Sequence, residues 1–97
     1  MRIIAKRTLR EFWEKNPTAE EPLRSWYRSL TSAEWDTPAK VKEKFGNASI
    51  VANNRVVFRI KGNAYRLVVE IDYRAGIVYV RFIGSHAKYD TINVTEV

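Results

Sequence analysis

The chain has no cysteine, one histidine, one methionine, three prolines and four glycines among its 97 residues. Without cysteine there is no disulfide staple, no thiolate metal site and no cysteine nucleophile. One histidine among scattered carboxylates makes no metal-ligating constellation, so neither a metal nor another cofactor is expected. No internal repeat, low-complexity run or long linker interrupts the sequence. No apolar run approaches the roughly 20 residues that cross a bilayer. The opening "MRIIAKRTLREFW" carries charge inside each apolar stretch and does not read as a secretory signal. These absences point to a cytoplasmic protein with no membrane contact, built as a single domain over residues 1–97.

What is present is positive charge. Seventeen Lys and Arg oppose eleven Asp and Glu, for a net charge of +6 and a pI near 9.8. Ten of the seventeen cations are arginines, whose planar fork matches phosphate better than the lysine point charge does. Such a balance points to nucleic acid or another anionic partner, provided the cations share a face. An apolar share of 45% with 12% aromatics supports a packed core rather than disorder.

"MRIIAK" predicts a short opening strand. "TLREFWEKNP" predicts a helix capped by Thr8, with Leu9, Phe12 and Trp13 on one face and Asn16–Pro17 at its end. In "TAEEPLRSWYRSL", Thr18 and Glu21 have capping-box spacing and Pro22 lies in the first turn. Leu23, Trp26, Tyr27 and Leu30 then form an apolar stripe. "DTPAKVKEKFG" predicts a third, short helix, with Thr37 as cap, Pro38 at the first position and Gly46 as stop. Beyond Gly46 the period changes from 3.6 to 2. "ASIVA" and "RVVFRIK" read as strands joined by Asn53–Asn54, and Gly62–Asn63 turns the chain into "AYRLVVEIDY". "RAG" then turns it into "IVYVRFI". The expectation is an α+β fold, with an N-terminal strand and two to three helices covering one face of a mostly antiparallel, four- to five-stranded sheet.

Side chains alternate along a strand. Phe58, Ile60, Tyr65, Leu67, Val69, Ile71, Val78, Val80 and Phe82 would therefore face the helices. Arg59, Lys61, Arg66, Tyr79 and Arg81 would share the uncovered face, with Glu70 and Asp72 at its far end. The solvated side of any half-buried sheet carries charge, but a face that is mainly arginine with a tyrosine beside it suits RNA. At its edge stands "GSHAKYD", with His86 as the one side chain type that ordinarily titrates near neutral pH. RNA cleavage asks for little more. The substrate supplies the 2′-hydroxyl nucleophile, and the protein supplies proton transfer and charge stabilisation. At this level a ribonuclease and a non-catalytic RNA-binding module stay equally open. Trp13, Trp26 and Trp35 read as packing residues, and Arg24, Arg28 and "KVKEK" as solvated helix faces.

The stretch from Val56 to Asp90, above all "FRIKGNAYRL" and "GSHAKYD", closely resembles the HigB family of toxins from bacterial toxin–antitoxin pairs, a branch of the RelE-like mRNA interferases. "WDTPAKVK" (Trp35 to Lys42) and the opening strand followed by two helices resemble it too. The resemblance implies a RelE-like fold and an endoribonuclease that cuts mRNA during translation on the ribosome, through the 2′-hydroxyl and without a cofactor. It implies that Arg59 and Lys61 contact phosphate and that Arg66 stabilises the scissile one. His86 and Tyr89 would belong to the cleavage centre, with Lys61 or Tyr89 assisting the 2′-hydroxyl, and Asp90 either orienting His86 or, the favoured reading, capping the segment that follows. Its implied partners are mRNA, the ribosome and a HigA-type helix-turn-helix antitoxin, with DNA contacted only through that antitoxin. RelE itself has no histidine at the cleavage centre, so acid and base roles cannot be copied from it.

Overall fold

The computed structural model describes residues 1–32 and 35–97. Strand β1 (Arg2–Ile4) leads into α1 (Lys6–Lys15), and a 3₁₀ turn (Pro17–Ala19) joins that helix to α2 (Glu20–Thr31). After α3 (Pro38–Lys44) come β2 (Ser49–Val51), β3 (Arg55–Ile60), β4 (Tyr65–Asp72) and β5 (Ile77–Ser85). A single helical turn, α4 (His86–Tyr89), follows directly on β5. The sheet order is β1-β5-β4-β3-β2, with β1 parallel to β5 and every other neighbour antiparallel. The expected α+β layout is present.

The helices bury Leu9 and Trp13 from α1, Leu23, Trp26 and Leu30 from α2, and Val41 from α3. These meet Val56, Phe58 and Ile60, Leu67, Val69 and Ile71, and Val78 in one core. Trp26 and Phe45 both pack edge-on against Phe58, at 5.4 and 5.1 Å between ring centroids. The Trp35 indole donates to Leu30 O at 2.8 Å, tying the approach to α3 onto α2. The three tryptophans are packing residues.

The helix starts differ from expectation in two of three cases. Thr37 caps α3 as its spacing predicts, accepting from Lys40 N–H at 3.3 Å with Pro38 in the first turn. In α1, however, Ala5 is the cap and Thr8 sits inside the first turn, donating its N–H to Ala5 O. In α2 the 3₁₀ turn engages the first donors through backbone carbonyls, since Ala19 N–H reaches Asn16 O. The capping box is therefore not formed. Thr18 instead pairs its hydroxyl with that of Tyr65 at 2.7 Å.

The β2–β3 turn places Asn53 and Asn54 in the left-handed region, at φ 61° and 59°, as their sequence suggests. In the next turn the left-handed residues are Lys61 (φ 54°) and Gly62 (φ 61°), one position earlier than expected. Strand β3 thus ends at Ile60, and Lys61 is a turn residue rather than part of a strand face.

A second correction concerns β5. Its register passes from Val69↔Val80 to Val68↔Phe82, so Arg81 is an extra, bulged residue. The bulge reverses the alternation beyond it. Ile83, opposite Leu67, packs on the core with Val80. Phe82, expected to face the helices, lies instead on the open face beside Val68.

Candidate active site

Arg59 and Arg66 lie directly opposite each other on β3 and β4. The Ile71 N–H bond to Asn54 O sets the alternation of the ladder, which makes Arg59–Arg66 a non-hydrogen-bonded pair, where side chains approach closest. Like charges at such a position oppose folding. Arg66 is also buried, at 7% relative exposure. Its Nη1 donates to Asn63 O at 3.2 Å and Tyr65 O at 3.3 Å, and its Nη2 to Asn63 Oδ1 at 3.5 Å. Among the described residues no carboxylate pairs with either arginine. Local folding energetics do not explain this arrangement.

The remaining expected cleavage residues gather at the same end. Ser85 caps α4 by accepting Lys88 N–H at 3.2 Å, and His86 N–H donates to Ala64 O at 3.2 Å. That second bond fastens α4 to the β3–β4 turn, which carries Lys61. Tyr89 brings its ring to 5.9 Å from the Arg66 guanidinium carbon. The His86 side chain is 54% exposed, with Nε2 3.6 Å from Asp90 Oδ1. This separation is too long for a hydrogen bond, though it suits an ion pair once the ring is protonated. The Asp90 side chain forms no cap on the segment after it; its carboxylate turns back towards His86.

Arg81 and Tyr79 are not brought into that cluster. Arg81 donates to Glu70 Oε1 from Nε at 3.1 Å and from Nη2 at 2.7 Å, and its guanidinium carbon lies 5.1 Å from the Tyr79 ring. Sequence reasoning missed Arg55, which shares the strand parity of Arg59 and was therefore detectable. It is buried at 9%, pairs with Glu70 Oε2 at 3.2 Å, and donates to Asn53 O at 2.9 Å and Val97 O at 2.7 Å.

The expectation of an uncovered face needs correction too. Asn53 Nδ2 donates to Thr95 O at 3.2 Å, beside the Arg55 bond to Val97 O. The segment after α4 therefore returns along the sheet from Tyr89 to the β2–β3 turn. Val57 and Val68 lie on this face at 4% and 0% exposure, outside the helix-side core. One half of the face is thus strapped, with Arg55 and Arg81 sharing the Glu70 carboxylate, while the other half presents two guanidiniums with no carboxylate partner among the described residues, one of them beside the Tyr89 ring.

Among the described residues no three His, Cys, Asp or Glu side chains gather as a metal cage. No helix among them is long and apolar enough to cross a membrane.

Comparison with known proteins shows the family. The model of the HigB toxin family, described as the RelE-like toxic component of a toxin–antitoxin system, matches residues 19–92. The chain is 29% identical over 94 residues to the mRNA interferase HigB of Escherichia coli O6:H1 (strain CFT073), covering 95% of this chain and 91% of that protein. The chain belongs to the HigB toxin family, and its α+β fold is RelE-like.

Proposed function

We propose, from that family membership as premise, that the protein is an endoribonuclease cutting mRNA at the Arg59–Arg66 end of its sheet. One observation carries the reading: two opposed arginines that pair with no carboxylate among the described residues, one of them buried beside the ring of Tyr89, which lies on the helical turn that His86 opens. A phosphodiester supplies the counter-charge that the fold withholds. The name of the E. coli relative supports the substrate class.

In this scheme Arg66 and Arg59 hold the scissile phosphate, with Lys61 in the adjoining turn on a neighbouring one. The substrate 2′-hydroxyl attacks the phosphorus, the bond to the 5′-oxygen breaks, and the products are a 2′,3′-cyclic phosphate and a free 5′-hydroxyl. The guanidiniums stabilise charge that builds on the equatorial oxygens. His86, half exposed and beside Asp90, donates the proton to the leaving 5′-oxygen. Tyr89 or Lys61 assists departure of the 2′-hydroxyl proton, and no metal enters the scheme. Tyr79 and Arg81 make outlying RNA contacts, weakened because Glu70 already engages Arg81. The protein acts in the cytoplasm on ribosome-bound messages and is neutralised by a HigA-type antitoxin.

The test is primer extension on a reporter mRNA after brief expression of this protein alone, with folded His86→Ala beside it and a translation-blocked arm. His86→Ala should lower cleavage by about 10²–10⁴-fold, the worth of a positioned proton donor. Growth arrest without new 5′ ends would replace the enzyme with a non-catalytic module that occupies the ribosome. Ends that persist undiminished in His86→Ala would remove the histidine from the chemistry, and ends that persist without translation would remove the ribosome.

A further inference from the structure

Strand β1 pairs with β5 only as far as Tyr79, so among the described residues the edge of β5 that faces away from β4 has no strand beside it from Val80 to Ser85. The ladder alternation turns the Ile83 N–H and C=O outward at this free edge. A hollow of about 300 Å³ opens there, with Phe12, Asn16, Tyr65, Phe82, Ile83 and Lys88 in its lining. Phe12 and Tyr65 meet edge-on at 5.3 Å, forming one aromatic wall. The Asn16 amide donates from Nδ2 to Phe12 O at 3.1 Å, which leaves its Oδ1 as an acceptor.

Phe82 is the second aromatic wall, and the bulge put it there. Its ring tip lies over Gly84, where an added Cβ would come 2.7 Å from Phe82 Cζ. Gly84 in turn sits opposite Arg66, and Lys88 is next to Tyr89. The hollow therefore abuts the phosphate end of the sheet. Its walls combine partly exposed flat rings, an outward peptide unit, an amide acceptor and a cation with no ion-pair partner among the described residues.

We infer that this hollow is a nucleobase subsite, which takes the base of a nucleotide adjoining the scissile phosphate. The inference rests on the ribonuclease reading above and adds the base to it. Phe82 supplies the stacking ring, while the Ile83 peptide and Asn16 Oδ1 meet the hydrogen-bonding edge of the base. Lys88 stands where the chain of the nucleotide leaves. Stacking of this kind tolerates any base, whereas the amide and peptide discriminate among them.

The test uses the full chain and short single-stranded RNA oligomers in which one position at a time is abasic, read by fluorescence anisotropy. Wild type should lose about tenfold in affinity at one position, the usual worth of one stacked base. Phe82→Ala should bind the intact oligomer about tenfold more weakly and be indifferent to the abasic change, while Phe82→Trp keeps the wild-type pattern. Asn16→Ala, on the helical layer, should bind but lose discrimination among the four bases at that position. An equal abasic penalty in wild type and Phe82→Ala, or none at any position in wild type, overturns the subsite. Failure of the ribonuclease reading looks different: the abasic penalty is present, yet expression in cells yields no new mRNA 5′ ends. Cleavage without an abasic penalty keeps the enzyme and removes the subsite.

Discussion

Arg59→Gln should make the protein more stable and a poorer ribonuclease at once. Arg59 faces Arg66 across a non-hydrogen-bonded pair, and among the described residues no carboxylate pairs with either. Directly opposed like charges on a sheet cost about 0.2–1 kcal/mol. The Arg59 side chain is exposed and Arg66 is not, so solvent screens one partner and a gain of about 0.5 kcal/mol is appropriate. For a domain of this size that raises Tm by about 2–4 °C. The gain is electrostatic, and at ~1 M salt, where screening acts within about 3 Å, it should disappear. Arg66→Gln should behave oppositely. Its guanidinium serves the carbonyls of Asn63 and Tyr65, and removing those donors costs about 1–2 kcal/mol at any salt. RNA binding should fall in both, and in Arg59→Gln the salt dependence of single-strand binding should flatten by about 0.7 in log–log slope. Thermal melts at two ionic strengths and binding titrations read all of this. If Arg59→Gln melts below wild type at low salt, or keeps its gain in ~1 M salt, the two guanidiniums are not in conflict and the reasoning fails.

Two further substitutions probe the rest of the face. Glu70→Gln removes the carboxylate shared by Arg55 and Arg81 and should cost about 1–2 kcal/mol in urea unfolding, less than a fully buried pair because Glu70 is partly exposed. It should also strengthen RNA binding by releasing Arg81, and unchanged affinity would show that Arg81 lies off the RNA path. Ile83→Ser should destabilise by about 1.5 kcal/mol and Phe82→Ser by less. That order is the signature of the bulge, and its reversal would mean that β5 alternates without interruption.

The topology was legible because local signals agree. Thr37–Pro38 opens the last helix before the period changes at Gly46, and Asn53–Asn54 adopts the left-handed turn its side chains favour. What remained hidden depends on partners far along the chain. "IVYVRFI" alternates without fault as written, and only pairing of Phe82 with Val68 reveals that Arg81 is supernumerary. Lys61 adopts φ 54° although a glycine follows it, so composition pointed to the neighbouring residue. The clustering of Arg66, His86 and Tyr89 was foreshadowed by strand parity and by their position at a strand end. That Arg81 would be held apart from them was not, because its partner Glu70 lies 11 residues upstream on another strand.

The same sheet face solves one electrostatic problem and leaves another unsolved. At the Glu70 end, two arginines share a carboxylate and a returning chain segment covers the valines between. A solution of the same kind was available at the other end, where Asp90 lies one residue beyond Tyr89, yet its carboxylate turns to His86 and leaves Arg66 to uncharged oxygens of Asn63 and Tyr65. A face shaped for solubility alone gains nothing from a buried, unpaired guanidinium opposite a second one. Local conflicts of this sort mark places where a ligand completes the structure. A phosphate between Arg59 and Arg66 would remove their repulsion, and the energy released on binding would include what folding left unrelieved. On the proposed reading, the repulsion between the two arginines in the free protein would be part of the affinity for RNA, and a variant that relieves it should bind more weakly.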